Sequence, residues 1–228
     1  MRKWRFYLCS KNSKIREIMK NETEKQTINA AEKHNPLVIV DNGHGMQTPG
    51  KRSPGGSVLE WEWTRRVAGE IVGRLSKTPV DAVLLVPEDD DIPLPTRCRR
   101  ARRLAEGRCA VLLSVHVNAS GDGSSWRSAR GFSAFVAERA STESVRLARM
   151  FTSMACRRGL AGNRSVPPEG CWRGNFAIVR DTPMPAVLTE NLFMDNREDA
   201  AILMSATGFE DIVSMHVDAV LKFFNICL

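Results

Sequence analysis

From Pro36 onward, short apolar runs rich in β-branched residues alternate with longer segments of helical period. That alternation leaves few folds open, because strands joined through helices pair in parallel and bury both faces of their sheet. PLVIVD (36–41) reads as a buried strand, followed by the Gly- and Pro-rich loop NGHGMQTPGKRSPGGS. Residues 60–77 have helical period and DAVLLV (81–86) is a second strand. Residues 92–107 form a basic amphipathic helix with Leu94, Cys98, Ala101, Leu104 and Ala105 on one face. CAVLLSVHVN (109–118) and GFSAFVA (131–137) are the third and fourth strands, and residues 142–158 a helix. NFAIVR and PAVLTENLF read as two late strands, and residues 197–225 as one or two closing helices. The expected fold is α/β: a single domain with a twisted, mostly parallel sheet of about six strands and helices on both faces. Residues 1–35, polar and mixed in charge, read as an N-terminal tail, leaving 36–228 as the domain that carries function.

No apolar run approaches the roughly 18 residues of a membrane helix. The start, MRKWRFYLCSKNSK, is basic but lacks the roughly 7–15 apolar residues of a signal peptide. The expectation is synthesis in the cytoplasm, with release or another export factor needed for any action outside. Cysteines at 9, 98, 109, 156, 171 and 227 form no C-x-x-C pair and read as reduced thiols. Lys and Arg outnumber Asp and Glu 33 to 26, so the surface attracts polyanions, without distinguishing nucleic acid from lipid or cell-envelope polymer. No nucleic-acid motif is present, and specific nucleic-acid binding is not expected. The arginines at 97–103 and Arg108 read as a solvated helix face.

In sheets of this kind ligands gather beyond the carboxyl ends of the strands. His44 follows the first strand, His116 lies near the end of the third, and Glu190 ends the last. The start of the first helix offers Glu60 or Glu62. Val67, Ala68, Ile71 and Leu75 follow Glu60 at helical spacing, so Glu60 shares their inward face. Glu62 points about 200° around the helix, placed to pair with Arg66. Two imidazoles and a carboxylate are a common catalytic zinc set that leaves a position open for water. A further carboxylate outside the ligands then serves as base and acid. Each residue also has a plainer reading. A histidine after a strand is more often a loop or core residue, and Glu60 would complement a helix dipole. Glu190, ending the apolar run PAVLT, needs a partner if buried. Together they point to a metal hydrolase without naming its substrate.

The stretches VIVDNGHG, LEWEWTRRVAGEIVGRL, LLSVHVNAS, GFSAFV and FAIVRDTPMPAVLTENLFMDNRED, in this order, resemble the zinc-dependent N-acetylmuramoyl-L-alanine amidases of Amidase_3 type. The combination is specific where no single piece is. The resemblance implies one zinc ion held by His44, Glu60 and His116, with Glu190 as the catalytic carboxylate. It implies peptidoglycan as substrate, cut between the lactyl group of N-acetylmuramic acid and the L-alanine of the stem peptide. Around that set, Asp41 either accepts from a ligand imidazole or organises the Gly43–Gly45 turn. Asn118 holds the ligand shell or a substrate carbonyl, or caps the strand end. Arg180, ending a strand, meets a stem-peptide carboxylate or forms a surface ion pair. His34 and His216 are not expected as ligands. The chain departs from the family pattern at Asn42, usually proline, and Thr64, usually asparagine. After Glu190 the family continues with a small or apolar residue and glycine. Here Asn191 and Leu192 follow, a change expected to reshape the pocket wall. The loop NGHGMQTPGKRSP and the ending TENLFMDN are similar to phage or prophage lysis enzymes, or to related proteins of gut Bacteroidales. The competing readings are a zinc peptidase acting within the stem peptide and a non-catalytic basic module binding cell wall or nucleic acid.

Overall fold

Pro36 cannot donate to a strand ladder, and the first strand starts directly after it. The computed structural model describes residues 34–226. In chain order its elements are β1 (Leu37–Asn42), α1 (Glu60–Leu75), β2 (Asp81–Leu84), α2 (Leu94–Leu104), β3 (Ala110–Asn118) and β4 (Ser133–Ala137). They continue with α3 (Thr142–Arg157), β5 (Trp172–Gly174), α4 (Ala177–Arg180), β6 (Ala186–Phe193), α5 (Arg197–Met204) and α6 (Ala206–Phe223). The sheet order is β2-β1-β3-β6-β4-β5. β2, β1, β3 and β6 run parallel, and β4 is antiparallel to β6. The chain is thus an α/β domain with a six-stranded, mostly parallel sheet. From Asn35 the residues form one compact unit. The tail expected over 1–35 lies, up to residue 33, outside the described residues.

β1 is buried at all six positions, as a strand covered on both faces must be. Its side chains alternate between two cores. Val38 and Val40, with Val111, Leu113, Val115 and Val117, face α1, α3 and α6 in the larger core. Leu37 and Ile39, with Leu112 and Leu188, face α2 and α4 in the smaller one. Because β1, β3 and β6 are parallel neighbours, their carboxyl ends lie along one edge.

The segment NFAIVR, expected as a strand, is instead a single helical turn. Its adjacent residues Ile178 and Val179 are both buried, which a helical turn allows and an alternating strand does not. The edge of β4 is taken by β5, three residues earlier, which sequence periodicity did not flag. Between β3 and β6 the register steps from His116↔Glu190 to Asn118↔Phe193. Asn191 and Leu192 together therefore face Val117, a bulge with the extra residue on β6. Leu192 adopts φ 68°, in the left-handed region that strains residues with a Cβ.

Candidate metal centre

The GHG turn leaves β1 and passes under close neighbours. A Cβ at Gly43 would collide with the His116 ring, and one at Gly45 with the backbone of Asp91. Only glycine permits this approach on either side of His44. Opposite the turn, α1 begins with Glu60, whose side chain is buried. Its Oε1 lies 3.0 Å from His116 Nδ1 and accepts the Val117 N–H at 3.0 Å. Its Oε2 lies 3.4 Å from His44 Nε2. The two imidazoles meet edge to face with centroids 5.0 Å apart. One ligand-type atom from each of His44, Glu60 and His116 lies within 4.8 Å of the others, close enough to share a metal ion.

Burial lowers His44 to about 4, against the pull of Glu60. Burial also opposes charge on His116, but the hydrogen bond and charge of Glu60, then Glu190, outweigh it and raise this histidine above its usual value. For Glu60 burial works upward, and the hydrogen bond and charge of His116 with the charge of His44 hold it low. The carboxylate therefore stays ionised between two imidazoles, the state a cation requires.

Glu190 stands beside His116 in the ladder. Its Oε2 is buried without a hydrogen-bond partner among the described residues. Burial pushes this carboxyl up to about 7, the charge of Glu60 adds to the rise, and His116 opposes it. An unpartnered buried carboxylate oxygen is costly, and such groups with displaced pKa values cluster where chemistry uses them. His44, His116 and Glu190 line a cavity of about 610 Å³ together with the apolar Ile92, Leu94, Phe176 and Ile178 and the charged Lys51 and Asp91.

Of the other residues, some follow one of the alternatives the sequence left open and some depart from expectation. Leu94, expected inward, is exposed at the cavity rim because it opens α2 beyond the sheet. The Asp41 carboxylate reaches no imidazole. It accepts from Arg97 Nη1 at 2.8 Å and Ser114 Oγ at 2.6 Å. Asn118 Oδ1 accepts the Ala119 N–H at 2.9 Å, a strand-end cap. Arg180 lies on α4, exposed, and pairs with Asp181 and Asn175. Glu62 is exposed, and its expected partner Arg66 lies over the Phe209 ring instead. Leu192 buries its side chain in the larger core and does not line the cavity, whose wall there is Leu188 and Glu190. Thr64 donates to the Gly43 carbonyl at 3.0 Å and so steadies the turn. His216 is a core residue.

Arg97 is the buried residue beside the site that the sequence reading missed. It belongs to the arginine run expected to be solvated, yet it is 2% exposed. The signal was present: Arg97 precedes Cys98 and lies one turn from Ala101 on the inward face. Arg100, by contrast, pairs with Glu88 near the surface.

Comparison with known proteins gives a consistent result. A family model described as N-acetylmuramoyl-L-alanine amidase matches residues 38–222. The endolysin of Bacillus phage SPP1 is 26% identical over 83% of the chain and 66% of its own length. The N-acetylmuramoyl-L-alanine amidase LytC of Bacillus subtilis (strain 168) is 28% identical over 86% of the chain and 38% of its own length. The chain thus spans about two thirds of the first of these relatives and well under half of the second. The crystal structure of N-acetylmuramoyl-L-alanine amidase from Clostridium difficile 630 shares the fold, with a TM-score of 0.74 and 23% identity over 85% of this chain and 98% of that one.

Proposed function

We infer the chemistry of the cavity from one premise: the chain belongs to the N-acetylmuramoyl-L-alanine amidase family. Its function on this reading is hydrolysis of the amide bond between the lactyl group of N-acetylmuramic acid and the L-alanine of the peptidoglycan stem peptide. His44, Glu60 and His116 hold one zinc ion, and residues 36–228 are the catalytic domain. The observation that carries this reading is a compact His-Glu-His set beside the unpartnered oxygen of Glu190, at the wall of one cavity. Two imidazoles and an ionised carboxylate suit zinc better than magnesium or calcium, which prefer oxygen ligands.

Zinc, when bound, supplies a polarised scissile carbonyl and water acidified to a pKa of about 7. Glu190 takes the proton of the attacking water on its free oxygen and returns it to the departing amine of L-alanine. A carboxyl pushed up to about 7 by burial both accepts and releases a proton near neutrality. The apolar wall of Ile92, Leu94 and Phe176 limits water on the far side of the substrate. The site of action is the cell wall. Among the described residues no helix is long and apolar enough to cross a membrane.

Digestion of purified sacculi, with and without chelator and read by mass, tests the reading. The expected products are stem peptides beginning with L-alanine, lost on chelation and restored by zinc. Cuts inside the stem peptide would make the protein a peptidase. Intact sacculi after incubation with zinc-loaded, folded protein would leave only a binding role.

A further inference from the structure

We propose that Arg97 is a positioning residue for the metal set: it fixes the backbone of the turn that aims His44. Its consequence for metal rests on the zinc reading above, and its cause rests on geometry alone.

The Arg97 guanidinium is enclosed by acceptors. Nε donates to the Ile92 carbonyl at 2.7 Å. Nη1 donates to Asp41 Oδ1 at 2.8 Å and to the Asn42 carbonyl at 2.6 Å. Nη2 donates to the His44 carbonyl at 2.9 Å and to Asp91 Oδ1 at 3.3 Å. A guanidinium has five N–H donors, so none is left for a substrate group. What the residue does, it does to the protein.

Two of those acceptors bracket the turn. His44 adopts φ 62°, and a residue other than glycine stays there only where its surroundings over-determine the backbone. Arg97 grips the carbonyls of Asn42 and His44, and Arg65 Nη1 reaches the same His44 carbonyl at 3.2 Å. The Gly43 N–H donates to the Val115 carbonyl at 2.9 Å, tying the turn to β3. If the Asn42 and His44 carbonyls are both released, the peptides on either side of His44 lose their anchors, its left-handed φ and ψ relax, and the Cα–Cβ bond turns with them. The imidazole then leaves its 3.4 Å approach to Glu60 and its edge-to-face contact with His116. Lysine cannot substitute, because a single ammonium cannot span this fork of acceptors. Asp41 acts at one remove, holding the guanidinium with one oxygen while Ser114 holds the other.

The test compares the full chain with Arg97→Lys, His44→Ala and the double variant, with zinc affinity measured by chelator competition and folding by circular dichroism. Arg97→Lys is expected to bind zinc about 10–100-fold more weakly, the range for losing an outer partner of a ligand. Added to His44→Ala it should cost nothing further, since the ligand it positions is already gone. Equal losses in both backgrounds would overturn the proposal. A second readout needs no metal. Nuclear Overhauser contacts between the His44 and His116 rings, expected in the parent, should weaken or vanish in Arg97→Lys. Intact ring contacts in that variant overturn the positioning role, whereas a parent that binds no zinc overturns the zinc reading instead. If Arg97→Lys does not fold, Arg97→Gln, which keeps the polar end but not the fork of donors, goes through the same measurements. A loss confined to the His44-containing background supports the proposal, and unchanged zinc affinity with intact ring contacts overturns it.

Discussion

His116, partly buried, and His216, fully buried, are imidazoles on opposite faces of one sheet, and their surroundings move them in opposite directions. His216 sits in the larger core against Phe151. Its Nδ1 donates to the Ile212 carbonyl at 2.8 Å, and its Nε2 accepts from the Thr189 hydroxyl at 3.0 Å. The neutral ring is satisfied, and burial lowers its pKa to about 4. His116 is opposed by burial as well, but Glu60 and Glu190 share its pocket and reverse the outcome. A buried histidine becomes a core residue or a site residue according to whether acids share its pocket. The same strand serves both. Thr189 reaches the core histidine, while the next residue, Glu190, faces the site. A one-residue slip of β6 would exchange them.

Removing the proton carrier from the cavity face should have the largest effect. Glu190→Gln keeps the shape but cannot accept a proton. Release of L-alanine peptides from sacculi is expected to slow by about 10²–10⁴-fold while zinc content stays at the parent's. Elemental analysis beside the peptide assay checks both. Loss of zinc would make Glu190 a ligand, and an unchanged rate would put the base elsewhere.

The contrast itself breaks if the acid that reverses it is removed. In Glu60→Gln, His116 should titrate lower, toward the behaviour of His216. Zinc affinity should fall by more than the roughly 10–100-fold seen for outer partners. Exposed Glu62→Gln should do neither. Histidine titration by NMR and chelator competition decide, and a larger loss from Glu62 than from Glu60 refutes the assignment.

On the core face the prediction concerns stability. Below pH 6.5 the unfolded chain protonates His216, which the folded chain resists until about pH 4. Stability from this group is therefore complete above pH 6.5 and is lost as pH falls through that window. The loss amounts to about 3 kcal/mol, at roughly 1.4 kcal/mol per unit. His216→Asn lacks this term, so the stability gap between parent and variant should narrow by that amount from pH 7.5 to 4. Urea midpoints measure it, and a constant gap would mean that His216 is not held neutral.

The smallest effect separates packing from backbone strain at the bulge. Leu192→Ala loses core contacts and keeps a Cβ at φ 68°. Leu192→Gly loses the same contacts but relieves the strain, and should be the more stable of the two by about 1 kcal/mol. That reverses the usual order of alanine over glycine. Thermal unfolding of both variants tests it, and the usual order would mean the left-handed backbone is not strained.

Sequence alone determined what repeats along the chain. Alternating runs specified the parallel sheet, helical spacing turned Glu60 inward and Glu62 outward, and strand ends located His44 and His116, whereas Glu190, expected to end β6, lies three residues inside it. These follow from periodicity, which neighbouring residues carry among themselves. Tertiary structure decided whatever depends on what lies opposite. Helical spacing puts Arg97 on the inward face of α2, but its burial is tolerated only because Asp41, 56 residues earlier, answers its charge. NFAIVR coils because β5 already holds the edge of β4. Leu192 takes a left-handed backbone because β6 pairs with β3 through a bulge. His116 and His216 are shifted in opposite directions for the same reason: desolvation and charge are set across space, by groups that no local pattern brings together.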